Sequence, residues 1–173
     1  MATPDNYTIG SGIISAAEYD ENTPAQSTDF VDLGNVPSLT ISPAVETLEH
    51  KSSRTAEKEV DKEVVISTAY TIAFSLEEYS PENLAMFFQG EYDSGTKTIS
   101  GLTNLKKEYV VKFTSDNSTG PNYTYTFHRV KLTPSGDAGL IGTEWGQLAM
   151  TGKGLSDRKH NEDSPYFTIE EAA

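Results

Sequence analysis

A run of regular alternation between residues 64 and 76 constrains the fold of this chain more than any other feature. Large apolar side chains recur at alternate positions, and small or hydroxylated side chains fall between them. The large set consists of Val64, Ile66, Tyr70, Ile72, Phe74 and Leu76, interrupted by Thr68. A period of two places the two sets on opposite faces of a β-strand. The pattern therefore predicts one long strand with an apolar face and a small, polar face.

A short α-helix is predicted directly after this strand, at about residues 80–89. Ser80 is suited to the N-cap, Pro81 to the first helical position and Glu82 to the first turn. Gly90 is expected to end the helix in the left-handed conformation. The helix should dock through an apolar stripe made of Leu84, Phe87 and Phe88.

Short alternating segments and turn signals recur through the rest of the chain. Strands are predicted at residues 7–15, 30–33, 38–42, 108–114, 123–132, 143–151 and 166–169, with a bulge near His128 and Arg129 and the single tryptophan, Trp145, within a strand. The expected fold is mainly β, a two-sheet β-sandwich or barrel-like pair of sheets with one helix. The length fits a single domain over residues 1–173, with a frayed tail at 171–173.

Two polar segments interrupt this pattern. Residues 18–28 are expected to form a loop. Residues 43–62 form a longer connection that is rich in charge and poor in apolar side chains. Long connections inside a compact domain are usually functional or disordered, so an extended arm and a surface loop are both open interpretations.

The negative charge is concentrated in two segments. Residues 1–50 contain eight Asp and Glu and no Lys or Arg, and residues 77–95 contain five more acidic residues and no basic one. These account for the whole net charge of −13, because the other 13 acidic residues are matched by 13 basic ones. Such a chain should repel a phosphate backbone rather than grip it. Plain solubility is the alternative explanation.

Candidate catalytic and metal-binding groups are few, which predicts that the protein is not an enzyme. His50, His128 and His160 lie far apart in the sequence, and there is no cysteine. Glu77 and Glu78 are interpreted as charge near the helix N-terminus. An acidic group formed by Asp157, Glu162 and Asp163 lacks the spacing of a calcium loop and is expected to be a solvated loop. Neither a secretory leader nor a membrane-spanning run is recognised, and no cofactor is expected.

Three motifs in this order carry a family resemblance: LGNVPSLTIS at residues 33–42, VETLEHKSS at 45–53 and SPENLAMFFQG at 80–90. Together they resemble the major tail tube protein of long-tailed, non-contractile (siphovirus-type) phages, most clearly over residues 7–100. The resemblance implies a structural virion protein with a sandwich fold. Its subunits would form homohexameric rings that stack helically into a tube, through whose lumen viral DNA passes during ejection.

The same resemblance assigns roles to two sets of residues and to partners. The long arm would contact the neighbouring ring, through Glu46, Leu48, Glu49, His50, Lys51, Arg54, Glu57 and Lys58. Tape-measure and tail terminator proteins would bind the tube, which is made in the host cytoplasm and resides in the virion. DNA would pass without specific binding, along acidic candidates for the lumen wall: Glu18, Asp20, Asp29, Asp32, Glu77 and Glu78.

Two other classes of protein remain compatible with the sequence. A β-sandwich decoration or adhesion module of a virion would share the sheets and the acidity, without needing the charged arm. A tube protein of a contractile secretion system would share the fold in general. Electron microscopy of concentrated protein separates the tube-forming classes from the module.

Overall fold

The computed structural model of the protein describes residues 7–23, 29–54 and 56–172. The elements in these ranges are one helix, α1 (Pro81–Phe87), and the strands β1 (Gly12–Glu18), β2 (Val31–Asp32), β3 (Ser38–Lys51), β4 (Val60–Leu76), β5 (Glu91–Asp93), β6 (Thr98–Ser100), β7 (Tyr109–Ser115), β8 (Tyr123–Pro134), β9 (Leu148–Gly154) and β10 (Phe167–Glu171). The predicted mainly-β fold with one short helix is confirmed. Four parts of the predictions fall outside the described ranges. They are the lack of a leader at residues 1–6, residues 24–28 of the predicted loop, residue 55 of the arm, and Ala173 of the tail.

Eight of the strands form one antiparallel sheet, and β5 pairs with β6 in a small second sheet. The neighbours in the large sheet run in the order β2–β1–β7–β8–β9–β4–β3. β10 pairs with the first half of β8 and β9 with its second half, so the sheet divides along β8. Ile14 of β1, Ile72 of β4 and Val111 of β7 belong to one buried cluster. The sheet is therefore bent back on itself, and its two parts enclose the core in the manner of a sandwich.

The alternation predicted for the long strand is correct in its second half. Tyr70, Ile72, Phe74 and Leu76 are all buried in the core. The prediction is wrong for Val64 and Ile66, which are exposed although they continue the same period. This part of β4 pairs with β3 and lies outside the core.

A β-bulge also interrupts the alternation there, in a stretch where both faces of the strand are exposed. Ser67 pairs with Glu46 and Val65 pairs with Thr47, so Ile66 is an extra residue on β4. Beyond it Val64 pairs with Leu48, on the same face of β3 as Glu46. An inserted residue shifts every following side chain by one place, so Val64 changes faces relative to Tyr70.

The helix begins where it was predicted and is shorter than expected. Ser80 is the N-cap, and its hydroxyl accepts a hydrogen bond from the Asn83 amide at 3.2 Å. The left-handed residue after the helix is Gln89, with φ of 48°, rather than Gly90. Gly90 is instead required by close packing, because a Cβ there would lie 2.1 Å from the Ser100 carbonyl oxygen.

The apolar stripe of the helix docks unevenly. Phe87 is 4% exposed and belongs to the core, and Leu84 packs against the core. Phe88 is 37% exposed and meets Phe87 edge to face, with ring centroids 5.2 Å apart. Met86, which the stripe did not include, is buried in the core.

We expect Phe87→Ala to destabilise the fold by about 3–5 kcal/mol, because it opens a cavity in the core. Phe88→Ala is the matched control, since it removes the same group from a partly exposed site and should cost less than half as much. Urea unfolding followed by circular dichroism measures both. Equal losses of unfolding free energy in the two variants would contradict a larger contribution from the buried Phe87 ring.

Several predicted boundaries at the C-terminal end are corrected. The predicted strand at 143–151 is observed as β9, so Trp145 lies in the preceding loop rather than in a strand. The tail is not frayed at Glu171, which pairs with Tyr123, or at Ala172, whose amide donates to the Asn122 carbonyl at 2.8 Å. The predicted bulge at His128 and Arg129 is confirmed, because β7 pairs with β8 on either side of these two residues.

Candidate assembly surfaces

The segment predicted as a long arm or loop forms most of a two-stranded hairpin. β3 continues to Lys51 and β4 begins at Val60, and the Ser52 amide donates to the Glu59 carbonyl at 2.9 Å across the turn. We call residues 43–68 the projecting hairpin. At about 3.3 Å per residue, the paired part from Pro43 to Lys51 extends on the order of 25 Å from the core.

The ring-contact candidates are all on the projecting hairpin. Five of them lie on β3 (Glu46, Leu48, Glu49, His50 and Lys51) and three lie in the turn (Arg54, Glu57 and Lys58). All eight are exposed. His50 Nδ1 lies 2.5 Å from Asp61 Oδ1, a contact that links the two strands near the turn.

The projecting hairpin also exposes apolar side chains, of which the sequence pattern placed only Val64 and Ile66 on the apolar face of the long strand. They are Val45 and Leu48 on β3 and Val60, Val64, Val65 and Ile66 on β4. Such a concentration of exposed apolar residues usually marks an interaction surface. The signal available in the sequence was the charged run Asp61, Lys62 and Glu63 between Val60 and Val64, which suits an exposed strand better than a core strand.

β3 is also the edge of the large sheet. It pairs with β4 on one side, and no strand among the described residues pairs with its other side. A long unpaired edge presents backbone donors and acceptors to another chain. Pro43 lies in this strand, opposite Tyr70, which is consistent with an edge position because proline lacks the N–H group.

The acidic lumen candidates fall into different environments. Glu18 forms an ion pair with Lys107 at 2.9 Å and, with Asp20, lines an open cleft that also contains Arg129. Asp29 and Asp32 are exposed near the short strand β2. Part of the negative charge that the sequence shows as an excess is therefore paired with Lys107 in the structure.

Glu77 and Glu78 hold a turn rather than supply charge to the first turn of the helix. Glu78 Oε1 accepts a hydrogen bond from the Asn35 amide at 3.0 Å, and Glu77 accepts one from the Asn35 side chain. Glu77 also accepts a hydrogen bond from Gln147 Nε2 at 3.1 Å. Among the ion pairs of the described residues, none includes either glutamate. The pair therefore remains a negative surface beside the β2–β3 turn.

Asp157 is not part of a solvated loop, as the sequence suggested. It is 4% exposed, and its carboxylate accepts hydrogen bonds from Tyr19 Oη at 2.8 Å, His160 Nδ1 at 3.0 Å and Asn161 Nδ2 at 3.0 Å. These four residues, the Asp157 cluster, fix the β9–β10 connection against the segment that follows β1. The sequence shows no sign of the cluster because Tyr19 and Asp157 are 138 positions apart.

Burial and hydrogen bonding shift the pKa values in this cluster in opposite directions. Burial alone raises the pKa of Asp157, but the donors Tyr19, His160 and Asn161 lower it by more, so the pKa lies below its usual value. Burial and the hydrogen bond to Asp157 raise the pKa of Tyr19 to about 12. Burial lowers the pKa of nearby His128, whose Nε2 has no hydrogen-bond partner.

Other kinds of site are not evident in the described residues. Within residues 7–23, 29–54 and 56–172, no three His, Asp or Glu side chains are grouped so that they could hold a metal ion. In the same ranges no helix is long and apolar enough to cross a membrane.

Comparison with known protein families identifies one match that spans most of the chain. The family is described as "Protein of unknown function UCP028589", and its model matches residues 7–96 and 91–170. The chain belongs to this family. The first match includes the projecting hairpin and α1, and the second includes the β9–β10 connection, so both features lie within the UCP028589 family match. No curated protein matches the chain.

We expect the fold to lose stability in acid in two steps. Because the folded pKa of His128 is lowered, its contribution is present above about pH 6.5 and is lost as the pH falls below that value. Because the folded pKa of Asp157 is also lowered, its contribution is present above about pH 3.9 and is lost on further acidification. Free energies of unfolding measured in urea between pH 7 and 3 test this. His128→Leu should remove the first decline, and Asp157→Asn should remove the second; unchanged profiles would contradict the assignment.

Proposed function

We propose that the protein is the subunit of a phage tail tube, a structural virion protein whose homohexameric rings stack into a tube. The observation that carries this proposal is the projecting hairpin. It extends on the order of 25 Å from the core and exposes apolar side chains on both strands. A monomer gains nothing from exposing such a surface, whereas a neighbouring subunit can cover it.

The open edge of β3 supports closure into a ring. An exposed edge strand is a liability in a β-rich protein unless another strand pairs with it. Arranging subunits in a ring with their sheets joined edge to edge would remove the free edges, as in a closed barrel. The other end of the sheet offers only the two-residue strand β2, which leaves β1 beside it accessible for part of its length.

The distribution of charge supports a lumen that conducts viral DNA during ejection without binding it. The negative surface at Glu77 and Glu78 and the exposed Asp20, Asp29 and Asp32 would repel phosphates within a screening length of about 8 Å at physiological salt. The role requires no catalytic step and no cofactor. The expected partners are other copies of this chain, with tape-measure and tail terminator proteins at the tube ends, and the expected location is the virion after synthesis in the host cytoplasm.

The alternative function is a β-sandwich decoration or adhesion module of a virion, or a related secretion-system tube protein. Negative-stain electron microscopy of concentrated protein tests the proposal. Rings or tubes of uniform diameter are expected. Monomers at all concentrations would contradict a tube of either kind and favour the module.

Charge reversal on the lumen candidates should make assembled tubes retain DNA. A variant with Asp20→Lys, Asp29→Lys and Asp32→Lys should fold as the parent does, because all three positions are exposed. Its tubes should bind duplex DNA with an affinity that falls steeply with salt, since each added cation can neutralise a phosphate. The parent should show no binding over the same salt titration.

The control for this experiment replaces the same number of acidic residues by lysine at other exposed positions. Glu162→Lys, Asp163→Lys and Glu170→Lys add three cations at exposed positions outside both the lumen candidates and the projecting hairpin. Equal DNA retention by these tubes would show that net charge, rather than a lumen position, governs the effect. Salt-sensitive DNA binding by the parent protein would contradict the conducting role.

A further inference from the structure

A second exposed apolar surface lies at the far end of β4 from the projecting hairpin. The loop between β8 and β9, residues 136–147, is here called the Trp145 loop. Trp145 is 93% exposed, and Leu140 and Ile141 are also exposed. A tryptophan side chain in solvent is unusual on a monomer, and tryptophan is enriched among residues that dominate binding energy at interfaces.

The Trp145 loop is held in place by the body of the protein. Tyr79 Oη donates to the Gly139 carbonyl at 3.2 Å, and Gln147 Nε2 donates to Glu77 at 3.1 Å. Ala138 packs against the core cluster. The loop therefore presents its apolar side chains from a fixed base, which lowers the entropic cost of binding a partner.

The loop and the hairpin lie at opposite ends of one strand. Leu76, the last residue of β4, pairs with Leu148, which directly follows the Trp145 loop. The hairpin turn precedes Val60, the first residue of β4. A strand of this length spans on the order of 50 Å, so neither surface can cover the other within one chain.

The two surfaces also differ in charge. Asp137 and Glu144 lie on the Trp145 loop, and Glu77 and Glu78 lie beside it; residues 132–152 contain no Lys or Arg. The hairpin turn instead carries cations, Lys51, Arg54 and Lys58, beside Glu57 and Glu59. Complementary charge would guide the two surfaces together and fix their orientation.

We propose that the Trp145 loop is the docking site for the projecting hairpin of a second copy of this chain. The hairpin lays Leu48 and its exposed valines against Trp145, Leu140 and Ile141, and the cations of its turn meet Asp137 and Glu144 of the loop. Different surfaces of the two copies meet, so the pair keeps one free hairpin on one copy and one free loop on the other. Such a head-to-tail contact repeats without limit along one axis. This inference rests on the proposed tube and names the site at which one ring receives the next.

Trp145 itself reports on the contact, because it is the only tryptophan in the chain. The emission of the unassembled protein should be that of a solvated indole. Assembly should shift the emission maximum to shorter wavelength and protect the side chain from quenching by iodide. Tubes with unchanged emission would overturn the docking site while leaving the tube proposal intact. The absence of any assembly would overturn both.

Cross-linking tests which segment meets the loop, and the absence of natural cysteine makes any product specific. One protein carries Leu48→Cys and the other Glu144→Cys; after mixing and mild oxidation a disulfide-linked heterodimer should form. Lys106→Cys, on an exposed loop away from both surfaces, replaces Glu144→Cys in the control and should give no product. Equal yields in the two mixtures would overturn the pairing.

Removing the tryptophan should weaken assembly without unfolding the subunit. Trp145→Ser should raise the critical concentration for tube growth by about thirtyfold or more, the effect of losing an interface hot spot. Leu105→Ser removes an exposed apolar side chain elsewhere and should leave the critical concentration unchanged. Equal effects of both substitutions, with both monomers folded, would overturn the proposal.

Discussion

Tube growth should be abolished, and the monomer should stay folded, when the outer part of the projecting hairpin is removed. The sharpest variant replaces residues 48–64 with an Asn-Gly turn between Thr47 and Val65, which already pair in the hairpin. None of the removed residues belongs to the buried core, so the melting temperature should change little. The variant, however, lacks the apolar side chains and the hairpin length that the proposed ring contact requires. Circular dichroism and electron microscopy of the same sample measure the two outcomes.

A second variant separates the length of the hairpin from its apolar character. Val45, Leu48 and Val64 are each replaced by Thr, which keeps the β-propensity and the pairing of the strands. If the apolar surface provides the binding energy, this full-length variant should also fail to form tubes. Long tubes from the truncated variant would contradict the role of the hairpin, and an unfolded truncated protein would show that the hairpin contributes to the core.

A loss of stability comparable with that of Phe87→Ala is expected from Gly154→Ala. A Cβ at this position would lie 2.0 Å from Tyr70 Cε1. The Tyr70 ring cannot move aside, because it stacks on Phe127 with centroids 5.6 Å apart and meets Phe167 edge to face at 5.3 Å. Its hydroxyl also donates to the Tyr166 carbonyl at 3.2 Å. We expect a loss of about 3 kcal/mol or more in the free energy of unfolding, measured in urea.

Gly136→Ala is the matched control for this substitution. Its Cβ would meet the Ala149 Cβ at 3.5 Å, an ordinary contact, so stability should change by less than about 0.5 kcal/mol. Tyr70→Leu should partly relieve the Gly154→Ala variant, because the smaller side chain vacates the overlapping space. A double-mutant cycle measures this coupling. If the losses of unfolding free energy are additive, residues 70 and 154 do not compete for the same space.

The parts of the fold that the sequence predicted well are those whose partners are local. The hairpin of β7 and β8, with its bulge at His128 and Arg129, follows from alternation and turn residues within one stretch of chain. The N-cap at Ser80 follows from the residues beside it. In these cases the physical cause and the pattern lie in the same few residues.

The parts that could not be predicted depend on contacts made elsewhere. Whether Ile66 is buried or exposed depends on how far β4 extends beyond the core, and alternation along β4 alone contains no sign of it. Trp145 was predicted within a strand, and only the fold shows it in an exposed loop before β9. The buried state of Asp157 depends on Tyr19, which is distant in sequence.

The proline in β3 limits which strands can pair with the edge of a single chain. A strand from any other protein that adds to this edge meets a missing donor at Pro43, so it cannot form an unbroken ladder along β3. Accidental partners and amyloid-like stacking depend on such continuous pairing. A partner shaped to this edge can instead pair on either side of the gap. In the proposed assembly, Pro43 would keep unassembled chains from pairing along β3 with anything but the neighbouring subunit.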